Sequence, residues 1–339
     1  MNDHYYIGLD IHKKSITFVI KTKEDELVRQ GRVEATHPAL TAWAVAIDRP
    51  WIGALEATMF SGWVYDELRP RAQRLDDAHP LMLKAITCSK KKNDRLDADK
   101  ICDLLRCDLL PRCYMAPAEI RELRRVLRYR NLLVREAVRM KNKVAGLLME
   151  IGQPYVKKKL HRKKYFYPLL EQLPETQNSV RELLAISRME LALRLERRLL
   201  KELAKYSLLA GRVERLQTIR GVGPVLALTW ALEVGEPERF TSIRQAISYC
   251  GLCAAQKQSA GKDQRGPLSK QRNKHLQCML IEAAKLAPRH NETLRQVYEH
   301  EFARGPRHRA TVAVARKLVA YLLAVDRRER DFEALPPAA

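Results

Sequence analysis

Hydrophobic and polar positions follow two periods along this chain, and the switches between them mark out its elements. Tyr5-Tyr6-Ile7-Gly8-Leu9-Asp10-Ile11 is an extended run, followed by the polar turn His12-Lys13-Lys14 and the β-branched run Ser15-Ile16-Thr17-Phe18-Val19-Ile20. That order predicts a β-hairpin. Trp51–Leu55 is a second apolar run and ends at Glu56, as a buried central strand does when it delivers a carboxylate to the end of a sheet. Helices are predicted over Pro38–Ile47, Gly62–Gln73 and Arg95–Leu110, with Asp94 and Asp97 opening the last. Residues 1–112 therefore read as an α/β unit with a mixed sheet.

Pro111 and Pro117 bracket a linker, and beyond it the period is helical. Ala118–Glu150 holds one glycine and no proline, with Leu123, Val126, Leu127, Leu132, Leu133, Val134, Val138 and Val144 at helical spacing. The basic segment Lys157–Lys164 interrupts it before a second long helical stretch, Glu175–Leu209. The two predict an antiparallel coiled-coil arm, or one that joins helices of another subunit. Further on, Leu216–Pro224 contains Gly221 and Gly223 ahead of the apolar helix-like stretch Val225–Leu232. Glycines so placed suit either a plain turn between helices or a helix-hairpin-helix element whose backbone N–H groups grip phosphate. The predicted division is 1–112, an arm over 113–210, a mainly α-helical third domain over 211–330, and a tail over 331–339.

Composition adds a partner. The 339 residues carry 62 Lys and Arg against 40 Asp and Glu, a formal net charge of +22, which points to a polyanion. No apolar run approaches 18 residues and charged positions begin at Asp3, so a membrane is excluded and a soluble, cytoplasmic protein is expected. Seven cysteines, an odd number, read as reduced thiols. Cys250-Gly251-Leu252-Cys253 lacks a second pair, and its cysteines read as small buried hydrophobes rather than zinc ligands.

The candidate chemistry lies in four acids on three segments, Asp10, Glu56, Asp94 and Asp97. A spacing of three puts Asp94 and Asp97 on one helix face, which Asp99 and Asp103 do not share with both. Any one acid alone reads as a cap or a solvated charge. Together, at strand ends and a helix start, they suit a two-metal phosphodiester-cleaving site. Mg2+ takes carboxylate oxygens and substrate phosphates, and two ions clamp the attacking and leaving oxygens. Arg124, Arg128, Arg135 and Arg139 on the long helix read either as phosphate contacts or as a solvated face.

Six segments then carry a family resemblance: Gly8-Leu9-Asp10-Ile11-His12, Leu55-Glu56-Ala57, Asn93-Asp94-Arg95-Leu96-Asp97-Ala98, Ile219-Arg220-Gly221-Val222-Gly223-Pro224, Gly251-Leu252 and Gln258-Ser259-Ala260-Gly261-Lys262. In that order, over nearly the whole chain, they resemble the DEDD-type insertion-sequence transposases. The resemblance implies an RNase H-like (RuvC-like) domain joined by a coiled coil to a transposase domain with a nucleophilic serine. It places the acidic tetrad on Asp10, Glu56, Asp94 and Asp97 and the nucleophile on Ser259. It further implies donor and target double-stranded DNA, a structured non-coding bridge RNA, and a dimer or tetramer in which one chain's acids complete another's serine site. The setting implied is the bacterial nucleoid.

Three motifs depart from the family pattern. Gly-Leu-x-Pro-Arg reads Gly251-Leu252-Cys253-Ala254-Ala255, Ser-Gly reads Ser259-Ala260, and Ser-Lys-x-Gly-Asn reads Ser269-Lys270-Gln271-Arg272-Asn273. They keep Ser269 open as a rival nucleophile. Lys262, Lys270, Arg272 and Lys274 are candidate phosphate clamps beside the serine, joined by Arg220, Gly221 and Gly223. Two other readings stand: a metal-dependent hydrolytic nuclease or Holliday-junction resolvase in which Ser259 is incidental, and a nucleic-acid-binding protein without catalysis. A site-specific DNA invertase of the same family is a variant of the transposase reading.

Overall fold

The structure, a computed structural model, describes residues 4–86, 93–174, 180–182, 184, 197–203, 205–259 and 262–333. It divides into two compact units at Ala118 and Glu119.

In the first unit β1 (Tyr5–Ile11) and β2 (Ser15–Lys21) form the predicted hairpin, with Leu9 opposite Phe18 and Asp10 opposite Thr17. β3 (Leu27–Glu34) pairs with β2 on the far edge. The apolar pattern does not reveal β3, because its residues are exposed or half-buried throughout. After α1 (His37–Val45), β4 (Trp51–Glu56) lies parallel to β1 as the expected central strand. Next come α2 (Ser61–Leu68), β5 (Arg74–Ala78), α3 (Pro80–Ile86), α4 (Asp94–Arg106) and the short β6 (Arg112–Cys113). The sheet order is β3-β2-β1-β4-β5-β6, mixed as predicted. Two helices are shorter than their periodicity suggests. α2 stops at Leu68 just ahead of Pro70, which cannot continue a helix, and Asp108, at φ 54°, turns the chain away after α4.

Strand parity decides what each face carries. Ile7, Leu9 and Ile11 of β1 join Ile16, Phe18, Trp51 and Leu55 in one core with Leu40, Trp43, Val64 and Leu68 of α1 and α2. The opposite face presents Gly8, Ala54 and Ala78, and α4 lies on it through Ala98, Ile101, Cys102 and Leu105. Small residues here admit the helix closely. A Cβ on Gly8 would meet the Ala98 carbonyl oxygen and come within 2.5 Å of Cys102 N.

In the second unit α5 (Ala118–Glu150) is a single helix of 33 residues. Its first turns do not stand apart as an arm: Leu123 and Leu127 are buried in the core built by α7 (Ser207–Gln217) and α8 (Pro224–Val234). Its far end packs, through Val144 and Leu148, on Phe166, Leu169 and Leu170 of α6 (Lys163–Glu171). The second long helix expected over 175–209 lies partly outside the described residues. Within them it does not reach Leu209, because the chain turns at Lys205 and Tyr206 and α7 starts at Ser207. α9 (Ile243–Tyr249), α10 (Lys274–Leu286), α11 (Glu292–Ala303) and α12 (Arg307–Arg328) complete the helical core. A polar hairpin follows α9, β7 (Ala254–Ser259) paired antiparallel with β8 (Lys262–Leu268). Polar residues along both strands hid it from the pattern.

Candidate active site

The parity that seats α4 also raises the acids. Asp10 follows Gly8 on the α4 face at the end of β1, and Glu56 follows Ala54 at the end of β4. Leu9 and Leu55 are level in the parallel register, so the next residues, Asp10 and Glu56, leave adjacent strands side by side. Asn93 caps α4 by accepting the Arg95 N–H, which starts the helix at Asp94. Asp94 and Asp97 then extend the inward stripe of Ala98, Ile101 and Cys102 beyond the packed region.

Asp10 is 7% exposed. Burial raises its carboxyl above the ordinary carboxylate range; His12 opposes this, while the charges of Asp94 and Asp97 add to it. The His12 Nε2 atom lies 3.1 Å from Asp10 Oδ2 and 3.4 Å from Asp94 Oδ1. Arg32 of β3 pairs with the other oxygen of Asp94 at 2.9 Å. Across β1, β2 and β3 the residues Asp10, Thr17 and Arg32 are cross-strand neighbours. Thr17 Oγ1 is buried without a hydrogen-bond partner among the described residues. Asp10, His12 and Asp94 offer donor atoms within 4.8 Å of one another. A buried carboxylate, two further acids beside it and an unused hydroxyl fit a divalent cation, whose charge removes the repulsion among them. Neither His12 nor Arg32 stood out in the sequence as a site residue. The spacing of His12 from Asp10 was the signal for the first, whereas Arg32 is brought in by strand pairing alone.

Behind the acids, the other face of α4 is anchored. Lys21 of β2, 9% exposed at its side chain, reaches Asp103 at 2.7 Å, Asp99 at 2.8 Å and Asp25 at 3.1 Å. Asp99 and Asp103 thus serve a different cluster from Asp94 and Asp97, as the helical spacing predicts.

In the second unit Ser259 ends β7 and pairs with Lys262 across the hairpin; the side chains of both, with Ala260 and Gly261, lie outside the described residues. Ser269 sits past β8, its hydroxyl accepting the Gln271 N–H and its carbonyl accepting from Arg272 at 2.7 Å.

Two family models match this chain: one for DEDD transposases of the IS110 type, described as transposase, over residues 7–153, and one for the transposase IS116/IS110/IS902 family over residues 213–299. The first spans all four acids and the second spans Ser259. The chain belongs to the DEDD-type insertion-sequence transposases. A probable family 20 transposase of Pseudomonas aeruginosa is 26% identical over 247 residues, 71% of this chain and 72% of that protein. The transposase for insertion sequence element IS1328 of Yersinia enterocolitica is 23% identical over 306 residues, 83% of each. That for IS1111A of Coxiella burnetii is 28% identical over 269 residues, 71% of this chain and 68% of its own length.

The basic charge of this transposase is not evenly spread. Residues 1–118 hold 18 Lys and Arg against 17 Asp and Glu, which leaves 44 against 23 for residues 119–339, or +21 of the +22. Two of the predicted phosphate contacts are nevertheless spoken for. Arg128 grips Glu233 with two hydrogen bonds, 2.8 and 2.7 Å, and Arg124 donates to the carbonyls of Leu232 and Glu233. Both arginines fasten α5 to α8, because Glu233 is 1% exposed and needs a charged partner. Arg135, Arg220, Lys270 and Lys274 are exposed, as is Arg139, which pairs with Glu136. The Arg272 side chain lies over Gly251. Gly221 takes φ 102° with Ala287 against it, while Gly223 is open and caps α8. Among the described residues no helix is long and apolar enough to cross a membrane.

Proposed function

We propose that this transposase cuts and rejoins DNA at the ends of an insertion sequence through a covalent phosphoserine intermediate. The observation that carries the reading is the convergence of Asp10 and Asp94, with Asp97 and Glu56 beside them, on one edge of an RNase H-like sheet. These acids hold Mg2+, which supplies charge neutralisation at the scissile phosphate. The Ser259 hydroxyl attacks phosphorus, a deoxyribose oxygen leaves, and the phosphoserine ester keeps the bond energy for resealing without ATP. One phosphodiester is exchanged for another, so the step balances without a further reactant. Ser269, whose hydroxyl serves its own turn, is the weaker nucleophile candidate.

The second unit supplies the grip. Its surplus of basic residues, with Arg135, Arg139, Arg220, Lys262, Lys270 and Lys274 foremost, contacts the phosphates of donor and target DNA and of a structured bridge RNA. The α7–α8 turn acts as a helix-hairpin-helix, with Gly221 giving the tight turn and Gly223 leaving the backbone open. Long helices such as α5 pair chains into a dimer or tetramer, in which the acids of one chain complete the serine site of another.

The test is an adduct trap. The protein with its RNA, Mg2+ and labelled donor DNA is quenched in denaturant, for wild type, Ser259→Ala and Asp10→Asn. Wild type is expected to carry DNA on the peptide holding Ser259, with the adduct lost in both variants. DNA nicked equally by wild type and Ser259→Ala, with no adduct, would replace this reading by metal-dependent hydrolysis. Adduct formation unchanged in Asp10→Asn would remove the acids from the chemistry.

A further inference from the structure

The acidic pattern does not ask for a nitrogen donor, yet the imidazole of His12 sits between Asp10 and Asp94, where a cation would bridge them. Its Nε2 is 3.1 Å from one carboxylate and 3.4 Å from the other, on oxygens supplied by different elements. Of the two contacts only that to Asp10 has hydrogen-bond geometry; Asp94 lies at ion-pair distance from the same nitrogen. The hairpin explains how the ring comes to be there. His12 follows Asp10 by two residues, and the turn is closed by its own N–H on the Ser15 carbonyl at 3.0 Å. A side chain two residues on leaves the strand toward the same face. Half of the side chain is exposed, at 51%, so the ring is free to shift the small distance that an ion between the three donors requires. An ion pair at such exposure contributes little to stability, which leaves the convergence on two acids to be explained by a ligand.

Imidazole beside carboxylates is the donor set of Mn2+, Fe2+, Co2+ and Zn2+, whereas Mg2+ favours oxygen and retains its waters. We infer that His12 is a nitrogen ligand of the cation held by Asp10 and Asp94, and that the site binds Mn2+ more tightly than Mg2+. The inference rests on the reading of the acids as a metal site.

The full-length protein, freed of nucleic acid, is titrated with Mn2+ while the free-ion electron paramagnetic resonance signal is followed, and the bound ion is examined by pulsed resonance for coupling to nitrogen-14. Wild type is expected to show bound Mn2+ with nitrogen coupling. His12→Gln is expected to lose the coupling and to bind at least roughly tenfold more weakly, the loss that even an outer partner of a metal ligand produces. His12→Asp, which replaces nitrogen by oxygen, should bind without coupling and lose the preference for Mn2+ over Mg2+ in competition. Mn2+ that binds to wild type and is weakened by Asp10→Asn, yet shows no nitrogen coupling or keeps it in His12→Gln, would overturn the role of His12 and leave the acidic site standing. Binding equal in wild type and Asp10→Asn would overturn the metal-site reading and this inference with it.

Discussion

A single missing side chain sets the distance between Asp10 and the acids of α4. Gly8 lies two residues before Asp10 on the same face, and α4 passes over it so closely that an added Cβ would come within 2.9 Å of Cys102 Cβ and nearer still to backbone atoms. Backbone cannot give way as a flexible side chain does. Gly8→Ala should therefore cost on the order of 3 kcal/mol, the upper part of the range for overpacking, measured as a lower midpoint for unfolding of the first unit. It should also push Asp94 from Asp10 and reduce DNA cleavage further than the lost stability accounts for; a variant with wild-type stability and activity would show that α4 is not held here. Asp10 and Asp94 could be picked out from the chain as acids at a strand end and a helix start. Gly8 could not be read as a spacer, because its significance is a contact with residues about ninety positions away.

At the scale of elements, two clamps hold helices against their neighbours. Lys21 binds Asp99 and Asp103 on the flank of α4 opposite to the site, fixing the rotation of the helix about its axis. Lys21→Met removes the cation shared by Asp25, Asp99 and Asp103 and leaves Asp25 and Asp103 to Arg106. Because these are partly exposed, the expected loss is about 1–3 kcal/mol rather than the 3–5 of a fully buried pair. Lys21→Arg should restore most of it, as read by denaturant unfolding. The second clamp is Arg128 on Glu233. Burial works to raise the Glu233 carboxyl, but the hydrogen bonds and charge of Arg128, with Asn273, prevail and hold it below its ordinary 4.5. A depressed folded pKa gives stability that is present above 4.5 and lost as pH falls through the folded value. In Arg128→Gln burial dominates, the carboxyl rises above 4.5, and stability is lost as pH rises instead. Hydrogen-exchange protection of Leu226–Val234, corrected for intrinsic exchange, should stay level above pH 4.5 in wild type and fall only below it, whereas in Arg128→Gln it should fall as pH rises above 4.5; the same profile in both would refute the clamp. The helices themselves were legible from period, as α5 shows. Their clamps were not, since Arg124 and Arg128 look like any exposed basic stripe until Glu233 is folded against them.

At the scale of the molecule, charge is divided between the units: the one with the acids is nearly neutral, and the one with Ser259 carries +21. Phosphate contacts make affinity fall with salt by a slope of about 0.9 per contact. Neutralising Arg135, Arg220 and Lys274 should lower that slope for duplex DNA by nearly 3, measured by anisotropy from 50 to 200 mM salt. Neutralising Lys23 and Arg29 in the first unit should change it by less than 1; the reverse order would place the DNA on the wrong unit. Linear order alone determined the β1–β2 hairpin, the central strand ending in Glu56, the facing of Asp94 and Asp97, and the basic character, because each depends on a period or a count along the chain. It missed β3 and the β7–β8 hairpin, which lack an apolar stripe. Only the folded structure brought His12 and Arg32 onto Asp94, placed Gly8 beneath α4 and turned Arg128 inward. Those depend on which distant segments meet, and partners so far apart in sequence are chosen by packing of the sheet and helices rather than by any local pattern.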